Sequence, residues 1–195
     1  GTAVSGTGSK AKDKETVIKN TDGAIGAAKE VNPDFLFLQE TDVKSTRARG
    51  VNQLEKFTSA FTSSAYVYAE NFHSAYLFYP FSDPHGKTNA GIVTLSRYKI
   101  NESVRRSFPV DESFPTRFFD LDRCFSVSRI NLDGDKAGKQ LVLINVHLSA
   151  YDEGGLIRAK QLEMLNGVLK EERDKGNYVV AGGEFNHDIA FVAAP

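Results

Sequence analysis

The pattern that most restricts the fold of this 195-residue chain lies in residues 139–183. The segment "KQLVLINVHLS" predicts a strand, "LIRAKQLEMLNGVLKEERDKG" predicts a helix, and "YVVAGG" predicts a second strand. The helix carries one apolar stripe and ends near a glycine stop signal: Ala159, Leu162, Leu165, Leu169 and Gly176. A strand, a helix and a strand in this order favour two neighbouring parallel strands joined by a right-handed crossover.

The rest of the chain predicts further helices and strands without a domain linker. Residues 1–12 have the composition of a flexible segment, so we expect one domain over residues 13–195. Apolar periodicity predicts helices within 13–31 and 51–61, and the run "FLFL" predicts a strand buried on both faces. Alternation and turn residues predict four more strands, at 65–69, 75–79, 90–96 and 124–132.

Composition and charge exclude several classes of protein. The formal net charge is −1 and the pI is about 6.5, so a general nucleic-acid-binding surface is not favoured. The single cysteine, Cys124, excludes internal disulfides, and its place in an alternating strand indicates an inert buried thiol. No apolar run approaches the roughly 20 residues that a transmembrane helix needs.

Polar side chains follow three of the predicted apolar strands. "FLFLQE" ends in Glu40, "LVLINVH" ends in His147, and "YVVAGGEFN" continues into Glu184 and Asn186. Ligands gather outside the carboxyl ends of strands in sheets of this kind, so the strand ends are expected to converge on one site. The pair of glycines before Glu184 is expected to let the backbone turn sharply and to leave room for a close approach.

Each of these residues also has an ordinary structural interpretation. Glu40 could cap a following helix, and its spacing favours this role as much as it favours metal binding or catalysis. A lone histidine in phase with a strand is more often a satisfied core residue, and Asn186 could form an Asx turn. Glu184 is harder to explain structurally, because turns prefer Asp or Asn to Glu. Together the four residues indicate a site more strongly than any one does.

Five blocks of the sequence resemble those of the endonuclease/exonuclease/phosphatase superfamily. In order they are "PDFLFLQE", "NAGIVTLSRYKI", "LINVHLSAYDEGG", "RAKQLEMLNGVL" and "YVVAGGEFNHD", and they extend over residues 33–190. The resemblance implies an α/β sandwich of two packed mixed β-sheets with helices on the outer faces. It also implies a Mg²⁺-dependent hydrolase acting on a phosphate ester, with Mn²⁺ as a possible substitute.

The resemblance assigns roles to individual residues. Glu40 matches the magnesium ligand of the "LQE" block, and His147 matches a histidine that contacts and stabilises the phosphoryl group. Asn186 matches the asparagine that orients the scissile phosphate or the attacking water. Asn145 belongs to the same strand end as His147, and Asn89 falls where relatives have a polar residue on the substrate side. A role for Asn89 at the entry to a strand is equally compatible with its place.

The chain departs from the family pattern in three respects. Glu184 stands where the family has Asp, and the resemblance makes it a catalytic residue that positions or activates water with Asn186. The asparagine-ended first strand of the family and its final Asp–His pair are not found, so we expect the first and last strands to be missing. A catalytically impaired binding module with the same fold therefore stays open beside the enzyme.

The expected partner is a phosphate-ester substrate, with nucleic acid not favoured by the charge. A monomer without a transmembrane segment is expected. The chain does not begin with Met, so its true N-terminus is expected to be absent, and both cytoplasmic and secreted locations stay open.

Overall fold

The computed structural model describes residues 13–43, 49–77, 86–108, 123–148 and 155–185. The side chains of residues 70–77 and 86–89 are outside this description. The elements in chain order are α1 (Lys14–Val31), β1 (Phe35–Asp42), α2 (Gln53–Ala60), β2 (Ala65–Leu77), β3 (Gly86–Ser96), β4 (Glu102–Ser107), β5 (Cys124–Asn131), a 3-10 turn (Gly134–Lys136), β6 (Gln140–His147), α3 (Leu156–Asp174) and β7 (Tyr178–Glu184).

The strands form two sheets that face each other. One sheet has the order β1-β3-β2 with antiparallel pairs, and the other has the order β4-β5-β6-β7. Within the second sheet β6 and β7 are parallel, with α3 between them in sequence. The predicted α/β sandwich and its parallel strand pair are therefore confirmed.

Apolar side chains fill two layers. The larger layer lies between the second sheet and α3, where Phe125, Ile144 and Val146 pack with Leu165 and Val168. The layer between the two sheets has a smaller apolar cluster, formed by Ala69, Ile92 and Cys124. This inner layer also buries polar side chains, among them Thr94, Ser126, Ser128 and Asn145. Cys124 is buried, as its sequence context predicts.

The core-facing side of α3 includes most of the predicted stripe. Leu165 is buried and Leu162 and Leu169 pack against the same cluster, whereas Ala159 is exposed. The helix also buries Gln161, Val168 and Glu172, and apolar periodicity cannot detect the two polar residues among them. Gln161 and Glu172 are 0% and 2% exposed.

Two strand predictions also need correction. Residues 65–69 and 75–79 were predicted as separate strands, but β2 runs without interruption over Ala65–Leu77 and pairs with β3 through irregularities in register. Strand β4 has no apolar alternation, because it is an edge strand whose residues are nearly all exposed. The predicted flexible segment, residues 1–12, lies outside the described residues.

The first helix begins and ends at capping residues. Asp13 accepts a hydrogen bond from the Thr16 N–H at 2.7 Å, and this bond lowers the pKa of the Asp13 carboxyl. Asn32 ends the helix in the left-handed conformation. None of the helices in the described part of the chain is both long enough and apolar enough to cross a lipid bilayer.

Candidate active site

Glu40 lies in a β-bulge of β1. Leu38 pairs with Val93 and Thr41 pairs with Gly91, so β1 has one more residue than β3 between these pairs. Glu40 has a φ of 50°, which is unusual for a residue with a side chain and costs about 1 kcal/mol or more unless the surroundings hold it. Bulges change the direction of a side chain, and here the side chain concerned is an exposed carboxylate.

Hydrogen bonds fix the backbone on both sides of Glu40. On one side, the Gln39 amide donates from Nε2 to Asn145 Oδ1 in β6 at 2.7 Å. On the other side, the Asp42 backbone N–H donates to Gln53 Oε1 in α2 at 3.0 Å. Gln53 in turn donates to the Thr21 hydroxyl of α1 at 3.1 Å. The bulge is thus attached to the facing sheet and to both N-terminal helices.

The ends of β6 and β7 lie side by side. His147 pairs with Glu184 in the parallel register, which places their Cα atoms about 4.8 Å apart. The Leu148 N–H continues the ladder by donating to the Glu184 carbonyl oxygen at 2.9 Å. Glu184 is exposed, whereas His147 is only 2% exposed. The sequence prediction that these strand ends lie at one edge is confirmed.

The two glycines before Glu184 permit close packing and do not form a turn. Strand β7 continues through both of them to Glu184, which corrects the expectation of a sharp turn. A Cβ on Gly182 would come within 3.0 Å of the Phe37 ring in β1. Gly183 has a φ of 140°, and a Cβ there would lie 2.0 Å from the Val146 carbonyl oxygen. The close approach expected from the sequence is therefore made by β1 and β6.

Arg123 contacts the imidazole of His147. Its Nη1 atom lies 2.7 Å from Nε2 and 3.1 Å from Nδ1, and both residues are buried. Both ring nitrogens therefore lie against the guanidinium, which holds the imidazole in one orientation.

The two predicted substrate-binding residues occupy different places. Asn145 is fully buried, and its Nδ2 donates to the Val93 carbonyl oxygen at 2.9 Å, so it lies beneath the edge where Glu40, His147 and Glu184 stand. The backbone of Asn89 lies in β3, opposite His73, and its side chain is outside the description. Asn186 also lies outside the described residues.

The arrangement brings three predicted site residues to one end of the sandwich. Glu184 and His147 are neighbours in one sheet, and the Gln39–Asn145 bond joins the end of β1, with Glu40, to the end of β6. Sequence reasoning missed Gln39 and Arg123 as contributors. The "LQE" block contained a signal for Gln39, since an amide inside an apolar run needs a partner when buried. Arg123 had no comparable signal.

The carboxylates at this edge suit a hard divalent cation. Magnesium is usually bound by one or two carboxylates, keeps several waters and takes its other ligands from substrate phosphates. Glu40 and Glu184 are oxygen donors exposed to solvent, which fits this mode of binding. No group of three or more His, Cys, Asp or Glu residues within the described ranges is arranged to hold a metal ion. The two exposed carboxylates are of the donor type that a hard cation such as magnesium accepts.

Comparison with solved structures gives several matches to the fold. One match is TDP2 from D. rerio in complex with a single-strand DNA product. It is 19% identical, with a TM-score of 0.62 over 91% of this chain and 58% of that chain. The human Nocturnin catalytic domain with bound sulfate is 14% identical, with a TM-score of 0.59 over 88% and 58%. A mannosyl-6-phosphatase from Bacteroides thetaiotaomicron is 16% identical, with a TM-score of 0.60 over 92% and 62%. The chain thus spans about 60% of the length of each.

Sequence comparison agrees with the fold. No curated protein matches the chain at a significant level. A sequence model described as the Endonuclease/Exonuclease/phosphatase family matches residues 17–188, which is most of the chain. The chain belongs to the endonuclease/exonuclease/phosphatase family.

Proposed function

We propose that this chain forms the catalytic part of a Mg²⁺-dependent phosphoesterase, which hydrolyses a phosphate ester by attack of water. The main support for the proposal is that strand ends from the two sheets lie together at one end of the sandwich. Glu184 and His147 are register partners, and the 2.7 Å bond between Gln39 and Asn145 holds the Glu40 bulge to the strand that ends in His147. Family membership supports the same reaction.

Glu40 would hold the cation, with Mn²⁺ as a possible substitute for Mg²⁺. When bound, the cation would stabilise the negative charge that grows on the phosphoryl oxygens. Glu40 is suited to this role because it is exposed at the bulge and its backbone is held on both sides by Gln39 and Asp42.

His147 would donate a hydrogen bond to the phosphoryl group. The Arg123 contact would hold the imidazole in one orientation at the end of β6. A donor fixed in advance at the point where charge develops stabilises the transition state without reorganisation. Asn89 would lie on the substrate side, whereas the buried Asn145 would act only by supporting the strand end that carries His147.

Glu184 and Asn186 would orient the attacking water, and Glu184 would accept its proton. The extra methylene of Glu, relative to the Asp of the family pattern, moves the carboxylate by about a bond length. A misplacement near 1 Å can cost about a hundredfold in rate. This residue is also the observation that favours a second candidate, a binding module that retains the fold and the phosphate site but turns over slowly or not at all.

The substrate is proposed as a phosphate ester, without a narrower class. The similar structures include a TDP2 complex with a single-strand DNA product and a mannosyl-6-phosphatase, so the fold by itself does not select a narrower class of substrate. A net charge of −1 does not favour binding to long nucleic acids. We expect a monomer, which light scattering after size-exclusion chromatography would check.

Hydrolysis of two model substrates tests the proposal. Full-length protein would be assayed with bis-p-nitrophenyl phosphate and p-nitrophenyl phosphate in Mg²⁺, in Mn²⁺ and in EDTA. We expect turnover that depends on the metal and that rises up to about a hundredfold in the Glu184→Asp variant. An absence of turnover in both proteins with every divalent ion, together with retained phosphate binding, would instead establish the binding module.

A further inference from the structure

The Gln39–Asn145 pair is a hydrogen-bonded polar contact between the two sheets. Asn145 is 0% exposed, and its Oδ1 accepts from Gln39 Nε2 at 2.7 Å. Its Nδ2 donates to the Val93 carbonyl oxygen at 2.9 Å and reaches the Leu38 carbonyl oxygen and the Thr94 hydroxyl at 3.4 Å. One amide of β6 therefore contacts both β1 and β3 of the facing sheet.

The pair lies directly behind the proposed site. Gln39 immediately precedes Glu40, and Asn145 is two residues before His147 on the same strand. The ladder between β1 and β3 is irregular between Leu38 and Thr41, so regular backbone pairing does not set the conformation of Glu40. A left-handed residue in a bulge persists only when its surroundings hold it, and the Gln39 side chain is one such restraint.

Packing alone does not explain why this contact is polar. Two apolar side chains of similar shape can fill an internal gap with little change in stability, because neither leaves an unsatisfied partner. They would not fix direction, whereas a hydrogen bond fixes both the distance and the angle between its groups. The polar pair therefore suits a contact that must hold two strand ends in one alignment.

We propose that Gln39 and Asn145 are positioning residues, which hold the Glu40 carboxylate and His147 in the alignment needed to bind the cation and the phosphoryl group together. The inference rests on the proposed phosphoesterase function. Neither amide touches substrate in this arrangement; both act through the residues that follow them in sequence.

The Gln39→Met variant tests this role, because it keeps the length of the side chain and removes the amide. In full-length protein we expect the Kd for Mn²⁺, measured by titration calorimetry in the absence of substrate, to rise about tenfold. We expect kcat to fall about 10- to 100-fold while KM changes less than threefold, since errors of about 1 Å in alignment have effects of this size.

The matched control is Asn177→Leu, at the opposite end of the same sheet. Asn177 also bridges two elements, since its Nδ2 donates to Glu172 at 2.8 Å and its Oδ1 accepts from the Gln140 N–H at 3.0 Å. This variant is expected to lower Tm by at least as much as Gln39→Met, but to leave the Kd for Mn²⁺ and kcat within twofold of wild type.

The double variant Gln39→Asn with Asn145→Gln supplies the rescue. It keeps the summed length of the two side chains and allows the amide-to-amide bond to form again. We expect its Kd for Mn²⁺ to lie within threefold of wild type. If Gln39→Met does not fold, this variant decides: affinity near wild type supports the inference, and a loss greater than tenfold in the folded protein overturns it.

Two further outcomes distinguish a failure of this inference from a failure of the proposed phosphoesterase function. A Gln39→Met protein with lowered Tm but unchanged metal affinity and kcat would show a purely structural pair, and would overturn the inference alone. A wild-type protein that neither binds Mn²⁺ nor hydrolyses either model ester would overturn the proposed function, and the inference with it.

Discussion

The two ends of the sandwich differ in how they hold carboxylates. At one end Glu172 of α3 is 2% exposed, and Arg129 Nη1 donates to its Oε2 at 2.9 Å while Nη2 bonds its other oxygen. Asn177 adds a further bond at 2.8 Å. At the other end Glu40 and Glu184 are exposed carboxylates at the ends of strands.

The different surroundings of these carboxylates indicate a different role for each end. The Glu172 carboxylate is buried and hydrogen-bonded, and the Arg129 hydrogen bond is the main reason that the pKa of the Glu172 carboxyl falls to about 2. The same bond raises the pKa of Arg129. At the Glu40 end the hydrogen bonds restrain the residues on either side of Glu40, and Glu40 itself is exposed. The first end holds α3 to the sheet, and we propose that the second presents groups to a ligand.

The largest expected effect is a loss of activity when the carboxylate at the Glu40 end is changed. Glu40→Gln keeps the shape and removes the charge, so we expect a loss of about 100- to 1,000-fold in kcat, because metal binding contributes several kcal/mol to transition-state stabilisation. The free energy of unfolding should change by less than about 0.5 kcal/mol, since the side chain is exposed. Steady-state kinetics and urea unfolding measure the two quantities, and full activity in Glu40→Gln would contradict the assignment.

The next largest effect is expected at the Glu172 end, where stability should fall and activity should change little. Glu172→Ala leaves Arg129, whose side chain is 20% exposed, without its main partner, and breaking a buried pair from one side costs about 3–5 kcal/mol. Urea unfolding should show this loss, while kcat per folded molecule stays within twofold. The double variant Glu172→Met with Arg129→Met is the control, because it removes both charges and should recover part of the stability. A large fall in kcat for Glu172→Ala would mean that the two ends are coupled.

Acid should remove the contribution of the same carboxylate to stability. Its folded pKa is about 2, below its usual 4.5, so its contribution to stability is complete above about pH 5 and is lost as the pH falls through the folded pKa. Between pH 7 and pH 3 we expect the loss of about 2 kcal/mol from this group. The difference in unfolding free energy between wild type and Glu172→Gln isolates it from other carboxylates, and this difference should shrink with acidity. A difference that does not change with pH would refute the attribution.

Much of the architecture follows from local patterns. The segment from β6 to β7 was predicted because apolar runs and a helical stripe repeat with the right periods. The convergence of Glu40, His147 and Glu184 at one edge followed from the rule for carboxyl ends of strands, together with the resemblance to the family. Both rest on information contained in short stretches of sequence.

The contacts that complete the site depend on partners distant in sequence. The bulge at Glu40 exists only relative to the register of β3, which no property of "FLFLQE" reveals. The Arg123–His147 contact joins the start of β5 to the end of β6, and the Gln39–Asn145 bond crosses between sheets. Glu172 looks like any surface glutamate until the position of Arg129 on β5 is known. The roles of Glu40, His147, Glu184, Asn186, Asn89 and Asn145 stay predictions.

The smallest expected effect concerns a second ion pair near the Glu172 end. Like the Arg129–Glu172 pair it joins a cation to a carboxylate, but it is exposed to solvent. Lys170 and Asp174 are one helical turn apart on α3, with Nζ and Oδ2 at 2.7 Å, but their side chains are 70% and 59% exposed. Water screens the charges and both side chains must be ordered to meet, so such a pair contributes about 0.5 kcal/mol or less. Asp174→Asn should therefore change the unfolding free energy by no more than that in urea, and 1 M NaCl should remove the difference. A cost near that of Glu172→Ala would mean that charge pairing, and not burial with complete hydrogen bonding, stabilises this end of the sheet.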